Sequence, residues 1–319
     1  MLRSIAMRIL LTIPTLLGVL LVTFFVIRAI PGDPAVLYLG ETASREQIEA
    51  FREAKGLNEP LVVQMGVMLR DFAVGDLGTS FTQRRPVLEI IMERFPSTLE
   101  LAVAGILFAS VTGIFAGVAA SIKRGKLADY SIVGASTVFM SVPSFLWALI
   151  ITIIFGVKLG WIPVISISGG GGFRTLVAPA LALGLGGAAL FTRTTRSAML
   201  EVKNEDYVRT ARAKGLAEKR VVLLHTLKAA GTPVITIIGF YFASYMAGAI
   251  VVETIFARPG IGKMLIDAVF ARDYAVVQGT TVFIAVIVVT MNLLTDIICM
   301  VIDPRIRIRN TQIRRRSYD

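Results

Sequence analysis

Six long apolar stretches dominate this chain: residues 9–30, 99–122, 132–157, 176–191, 233–256 and 280–302. A helix that crosses a bilayer needs about 20 predominantly apolar residues. The first stretch, at about 1.5 Å per residue, reaches roughly 33 Å, enough for a hydrocarbon core of about 30 Å. The fourth is the shortest and is interrupted by Pro179 and by glycines between 184 and 187, so it is expected to run on to about residue 195. The predicted fold is all-α: a polytopic membrane protein with six transmembrane helices. Apolar residues make up 55% of the chain and charged residues 17%, against about 45–50% and about 25% in soluble domains. That balance argues against a soluble enzyme core and excludes disorder.

The first span does not read as a cleaved leader. Its apolar run exceeds the usual 7–15 residues of a signal peptide, and no Ala-x-Ala site follows. Instead Arg28 and then Ile30-Pro31-Gly32-Asp33-Pro34 end the helix abruptly.

Lys and Arg placement sets the expected orientation. The segments 1–8, 123–130, 192–232 and 303–319 carry 20 basic and 7 acidic residues. The alternating segments 31–97, 160–175 and 257–279 carry 11 basic and 12 acidic residues. The first set is therefore predicted to be cytoplasmic, together with both termini. The formal charge of +11 follows largely from this topology, and no nucleic-acid partner is called for. One cysteine, Cys299, and one histidine, His225, exclude an intramolecular disulfide, a cysteine-cluster metal site and His-rich zinc sites.

Three loops carry information. In the 31–97 loop, Ser44-Arg45-Glu46-Gln47 reads as a capping box and Gly56 as a helix C′ residue. Further helices are expected from 60 to about 73 and from 86 to 94. This loop is either an external lid or docking platform, or a packed elaboration of the first span. In the 192–232 loop, Asn204 is a candidate helix cap, with Glu205 and Asp206 in the first turn and Gly215 terminating in the left-handed region. The resulting helix of about 15 Å suits either a cytoplasmic partner's groove or an anionic lipid surface. Tyr207 and Ala211 share one face, with Val208 beside them. The 257–263 turn imitates a P-loop but fails it. Ala257 stands where the first glycine should be, and Met264 where Ser or Thr should follow Lys263.

Ionisable groups within spans are candidates for function. Glu100 starts its span, Glu253 lies about one turn from the outer end of the fifth, and Asp296 lies in the inner half of the sixth. An unpaired Asp296 would cost about 2.5–3.5 kcal/mol, so it should face another span, a cavity or a basic partner. It reads either as a gate or proton site or as a structural hydrogen bond. One acid near each face and none near the middle argues against a proton relay. Pro143 is expected to kink the third span, and Gly113 and Gly117 form a small-xxx-small packing pair. No Ser/His constellation and no HExxH motif point to catalysis.

Together these residues resemble the dipeptide/oligopeptide/nickel permease family of bacterial ABC importers, in the first of its two permease types. The resemblance runs through Arg28-x-x-Pro31-Gly32-Asp33-Pro34, Gly75-Asp76-Leu77-Gly78-x-Ser80 and Arg94-x-Pro96-x-Thr98-Leu99-Glu100-Leu101. It continues at Ser141-x-Pro143-x-Phe145 and Asp206-Tyr207-Val208-Arg209-Thr210-Ala211-Arg212-Ala213-Lys214-Gly215-Leu216. It closes with Val252-Glu253-Thr254-x-Phe256-x-x-Pro259-Gly260-x-Gly262 and Asp303-Pro304-Arg305.

The resemblance implies a type I ABC importer permease fold. Residues 1–94 would form the first span and its external helical loop. Residues 95–302 would form the five-helix transport domain, with a coupling helix near 205–215, and residues 303–319 a basic cytoplasmic tail. It also implies a non-catalytic subunit of a bacterial inner membrane, with no cofactor of its own. The implied partners are a second, homologous permease, two ABC ATPase subunits, a periplasmic or external solute-binding protein and the surrounding membrane lipids. The family's coupling loop carries Glu-Ala-Ala-x3-Gly. Aligned on Gly215, this chain reads Arg209-Thr210-Ala211, so the glutamate and first alanine are replaced. The coupling surface implied is Tyr207, Val208, Arg209, Thr210, Ala211, Lys214 and Gly215, with Glu253, Asp296 and Pro143 as gating or structural positions. The cargo implied is a peptide, with nickel, glutathione or another small solute as alternatives.

Overall fold

The computed structural model describes residues 2–29, 33–40, 43–54, 56–163 and 172–302. The expectations for Pro31, Gly32 and the 303–319 tail lie outside the described residues. In chain order the helices are α1 (Leu2–Ala29), α2 (Pro34–Leu39), α3 (Arg45–Ala54), α4 (Leu61–Ala73), α5 (Val87–Ile122), α6 (Leu127–Ser141) and α7 (Ser144–Ile151). They continue with α8 (Gly172–Val202), α9 (Asp206–Ala213), α10 (Glu218–Arg220), α11 (Gly231–Gly248), α12 (Ile250–Ile255), α13 (Ile261–Phe270) and α14 (Tyr274–Ile302). Two π-helical segments, Thr152–Lys158 and Val221–Leu227, extend α7 and α10. Among the described residues there is no β-strand, only an isolated bridge between Thr79 and Pro86.

Three helices, α5, α8 and α14, are long and apolar enough to cross a membrane unaided. Two bent pairs supply two more spans, and α1 contributes the apolar stretch Leu10–Val26. Each of the six expected spans thus has its helical material. Side chains such as Leu10, Val22, Phe115 and Val301 are exposed, as suits helices solvated by lipid.

The centre of the bundle is the α5–α8 pair, built on small residues. A Cβ on Gly113 would lie 2.6 Å from Phe191 Cβ, and one on Gly117 would lie 2.6 Å from the Thr192 carbonyl oxygen. On the opposite helix, a Cβ on Gly184 would meet Phe108 at 2.7 Å. Missing side chains therefore let the two backbones touch. Leu101, Ile106, Leu183, Phe191, Tyr245, Met246, Val252 and Phe256 close the core around them. Gly113→Val should force the pair apart and destabilise the fold by about 1–3 kcal/mol. Gly186→Ala, where nothing lies within 4 Å, should be neutral. Thermal unfolding in detergent compares the two.

Four expectations are corrected. The 86–94 helix is not separate, because α5 runs unbroken through Pro96. Val87, Ile90 and Ile91 bury against Ile261, Met264 and Val276, and this continuous apolar contact offsets the lost proline hydrogen bond. The third span is not a kinked helix but two helices meeting at 99°. Val142 is extended and Pro143 stands at the N-cap of α7, where its missing N–H costs nothing. The fifth span breaks at Ala249, between α11 and α12. Finally, the segment after it holds an unforeseen helix, α13, and α14 starts at Tyr274 rather than 280.

Candidate functional site

Two clusters of polar residues stand out, at opposite ends of the described bundle. The first is the hairpin that follows α8. Turn bonds from Asn204 N to Glu201 O (3.4 Å) and from Glu205 N to Val202 O (3.1 Å) reverse the chain. The extended residue before α9 is then Glu205, with no side-chain cap, and not Asn204 as expected. At the other end Gly215 has φ +78°. Its N–H bonds Arg212 O at 2.9 Å, and Leu216 N bonds Ala211 O at 3.4 Å, so the left-handed residue satisfies the helix's last carbonyls.

The seven residues of the implied coupling surface divide between two faces. Val208 and Ala211 are buried and pack on Val221, with Val202 and Leu216 alongside. Tyr207, Arg209, Thr210, Lys214 and Gly215 are exposed. A bidentate pair from Arg212 to Glu218, at 3.1 and 3.2 Å, ties the helix to the next segment. The Arg212 hydrogen bond is also the largest influence holding the Glu218 carboxyl below its ordinary value. The result is a short helix anchored by its apolar face, with a basic and aromatic face turned outward.

Beside this hairpin, in the first turn of α6, sits an ion pair that sequence reading missed. Arg196 on α8 grips Asp129 with Nε–Oδ1 at 2.6 Å and Nη2–Oδ2 at 2.8 Å. Gly125 N adds a bond at 3.0 Å to Asp129 Oδ2. The guanidinium first, and then this amide, hold the Asp129 carboxyl at about 2, so it is ionised at any physiological pH. The one local signal was an acid in the first turn of a helix, and its partner lies 67 residues away.

The second cluster, at the opposite end, is organised by buried acids. Glu253, fully buried, accepts from Thr98 Oγ1 at 2.5 Å, Gly262 N at 2.9 Å and Lys263 N at 3.1 Å. Thr98 Oγ1 in turn accepts from Ile261 N at 2.8 Å. The carboxylate therefore caps the orphan amides at the start of α13 and fastens α12, α13 and α5 together. A Cβ on Gly260 would collide with this carboxyl group. Arg258, in the same turn, pairs with Glu100 and bonds Ser97 O at 3.2 Å.

Asp273 works the same way. It accepts from Ser80 Oγ at 2.6 Å, Thr82 Oγ1 at 2.9 Å, and the amides of Phe81 and Thr82 at 3.1 Å. It also takes the Val276 amide at 3.3 Å, as the N-cap of α14 should. Burial alone would raise its carboxyl pKa, but the Ser80, Thr82 and Phe81 bonds lower it further. An Asp just before a helical run was the legible part of this signal. Of the remaining candidates, Asp296 is half-buried on α14 beside Thr295, which packs on Gly239 of α11. Pro143 marks the α6–α7 corner. Neither lies in the two clusters. No group of three or more metal-ligating side chains occurs among the described residues.

Two family models match the chain. "Binding-protein-dependent transport system inner membrane component" covers residues 109–308, and its N-terminal companion covers residues 1–102. The di/tripeptide transport system permease protein DppB of Pseudomonas aeruginosa is 43% identical over 333 residues, covering 96% of this chain and 99% of that protein. The oligopeptide transport system permease protein AppB of Bacillus subtilis is 40% identical, covering 94% and 97%. The dipeptide transport system permease protein DppB of Escherichia coli is 40% identical, covering 96% and 99%. Among solved structures, a chain of the inward-facing MetNI methionine ABC transporter aligns with a TM-score of 0.55 at 16% identity, over 68% of this chain and 97% of its own. A chain of an amino acid ABC transporter with histidines aligns with a TM-score of 0.50 at 16% identity. At that identity the likeness concerns the fold alone.

Proposed function

The chain belongs to the family of binding-protein-dependent transport system inner membrane components, and on that premise we propose that it is the permease subunit of an ATP-driven importer of peptides. Family membership over nearly the whole chain, with several peptide permeases among its relatives, is the observation that carries this reading. The chain sits in a bacterial inner membrane as a multi-pass protein, with both termini and the α9 hairpin on the cytoplasmic side, as the Lys/Arg bias requires. ATP is hydrolysed by separate ATPase subunits. A second permease completes the path, and a solute-binding protein delivers the peptide to the opposite face.

In this reading α9 is the coupling helix. Tyr207, Arg209, Thr210, Lys214 and Gly215 meet the ATPase, while Val208 and Ala211 key the helix to its own hairpin so that it moves as one body. Support comes from the inward anchoring of those two side chains and from the Arg212–Glu218 tie, which make α9 a rigid handle. ATP-driven closure of the ATPase pair displaces the handle and shifts the spans from inward- to outward-facing populations.

The test is expression with the neighbouring genes, gentle solubilisation and reconstitution. ATPase subunits and a second permease should co-purify, and vesicles should take up peptide only with ATP and the binding protein. Peptide flux by the lone chain driven by a proton gradient would overturn the reading.

A further inference from the structure

The α6 half of the third span buries little against the rest of the bundle, while α7, past the corner, sets Ala148 and Ile151 into the core. α6 packs chiefly on α8, yet its buried side chains are only Asp129 and Ser136. Leu127, Tyr130 and Val138 face outward. Ser136 spends its hydroxyl on its own helix, bonding Ile132 O at 2.8 Å. Among the described residues, the one directional link from α6 to α8 is therefore the Asp129–Arg196 fork. The Asp129 side chain is 3% exposed and that of Arg196 25%.

Position gives the fork its meaning. Arg196 lies on the last two turns of α8, about 9 Å along the axis from its end at Val202, and the chain then turns directly into α9. At the far end of α6 stands the 99° corner. A displacement of α9 would reach Arg196 through the turn at 203–205 and the last two turns of α8. Apolar contacts are non-directional, whereas two parallel charge-assisted bonds fix both distance and orientation.

We propose that the Asp129–Arg196 pair is the linkage that carries movement of α9 from α8 to the broken third span, with both residues acting as positioning residues for transport. This rests on the importer reading. A buried ion pair is a poor source of net stability compared with an apolar replacement, but it serves well as a strut. α6 follows α8, and its far end swings the corner at Pro143.

The experiment uses the whole complex in proteoliposomes and reads three quantities: assembly, basal ATP hydrolysis, and peptide taken up per ATP. Asp129→Asn should assemble and hydrolyse as the wild type does, with uptake per ATP falling at least five-fold. Asp129→Cys combined with Arg196→Cys, in a Cys299→Ala background, should show the same loss. A short bifunctional thiol linker across the two positions should then restore uptake per ATP.

Unchanged uptake per ATP in an assembled Asp129→Asn complex overturns the proposal. So does failure of both variants to assemble with no rescue by the linker, which would make the pair purely structural. Binding-protein-stimulated hydrolysis in the wild type is the control that separates the two readings. Its absence sinks the importer assignment, and its presence alongside a silent Asp129→Asn sinks only the strut.

Discussion

Gly215→Val is expected to cut ATP-dependent uptake by roughly ten-fold or more while the chain still inserts and assembles. Gly215 holds φ +78°, and an L-residue in that region costs about 1–2 kcal/mol, more when β-branched. Nothing lies within 4 Å of where its Cβ would be, so the penalty is conformational and falls on the end of α9 alone. Relief of the strain would break the Leu216–Ala211 and Gly215–Arg212 bonds and fray the end of α9, on the face proposed to meet the ATPase. A strain of about 1.4 kcal/mol already shifts a local equilibrium ten-fold.

Two companions separate backbone from charge. Gly215→Asn tolerates the left-handed region and should keep most uptake. Gly215→Asp tolerates it too but sets a negative charge beside Lys214, and it should lose uptake if the docking groove recognises the basic face. Uptake per ATP in proteoliposomes reads all three. Wild-type uptake in the valine variant would remove α9 from the coupling path.

Glu253→Ala should be the most damaging single change at the other end. It strands three donors: the Thr98 hydroxyl and the amides of Gly262 and Lys263. Each buried unsatisfied donor costs about 1–3 kcal/mol, so the loss is several kcal/mol together, concentrated at the start of α13. Glu253→Gln keeps one acceptor oxygen but turns an amide N–H₂ towards donors, so it should fall between alanine and wild type.

The measurement is thermal unfolding in detergent, with limited proteolysis across 257–273 as the local readout. Melting within about 2 °C of wild type, where 1 kcal/mol moves a large domain by roughly 2–4 °C, would show that the carboxylate is not the cap. The same outcome would return Glu253 to consideration as a gate.

Local signals survived the passage from sequence to structure. Ser44 and Gln47 exchange the two bonds of the capping box, at 2.9 and 3.2 Å. Gly56 and Gly215 both have positive φ, and Gly113 and Gly117 mark a close approach of α5 to α8. Each of these is decided within about one helical turn of chain. The misreadings share the opposite cause. α5 passes through Pro96 because α13 and α14 bury its flanking residues, which no window around residue 96 contains. α12 and α13 look like one apolar span and a loop until Glu253, Thr98 and Gly260 come together. The identity of α9 as a short amphipathic helix was legible in Asp206 to Gly215. Which of its side chains point inward was not, because Val221 in the next segment decides it.

The acids that organise the end opposite α9 reach far along the chain. Asp273 bonds residues 191 to 193 positions earlier, and Thr98 bonds Glu253 across 155. During synthesis, then, the 76–86 loop leaves the ribosome long before its partner exists. At about 5–20 residues per second, the wait is on the order of 10–40 s. Over that interval the Ser80 and Thr82 hydroxyls and the Phe81 and Thr82 amides lack the Asp273 carboxylate. The last helix to enter is thus also the clasp. Nascent chains stalled before residue 273 should remain protease-sensitive near residue 80, and release of the full chain should close that site in a single late step.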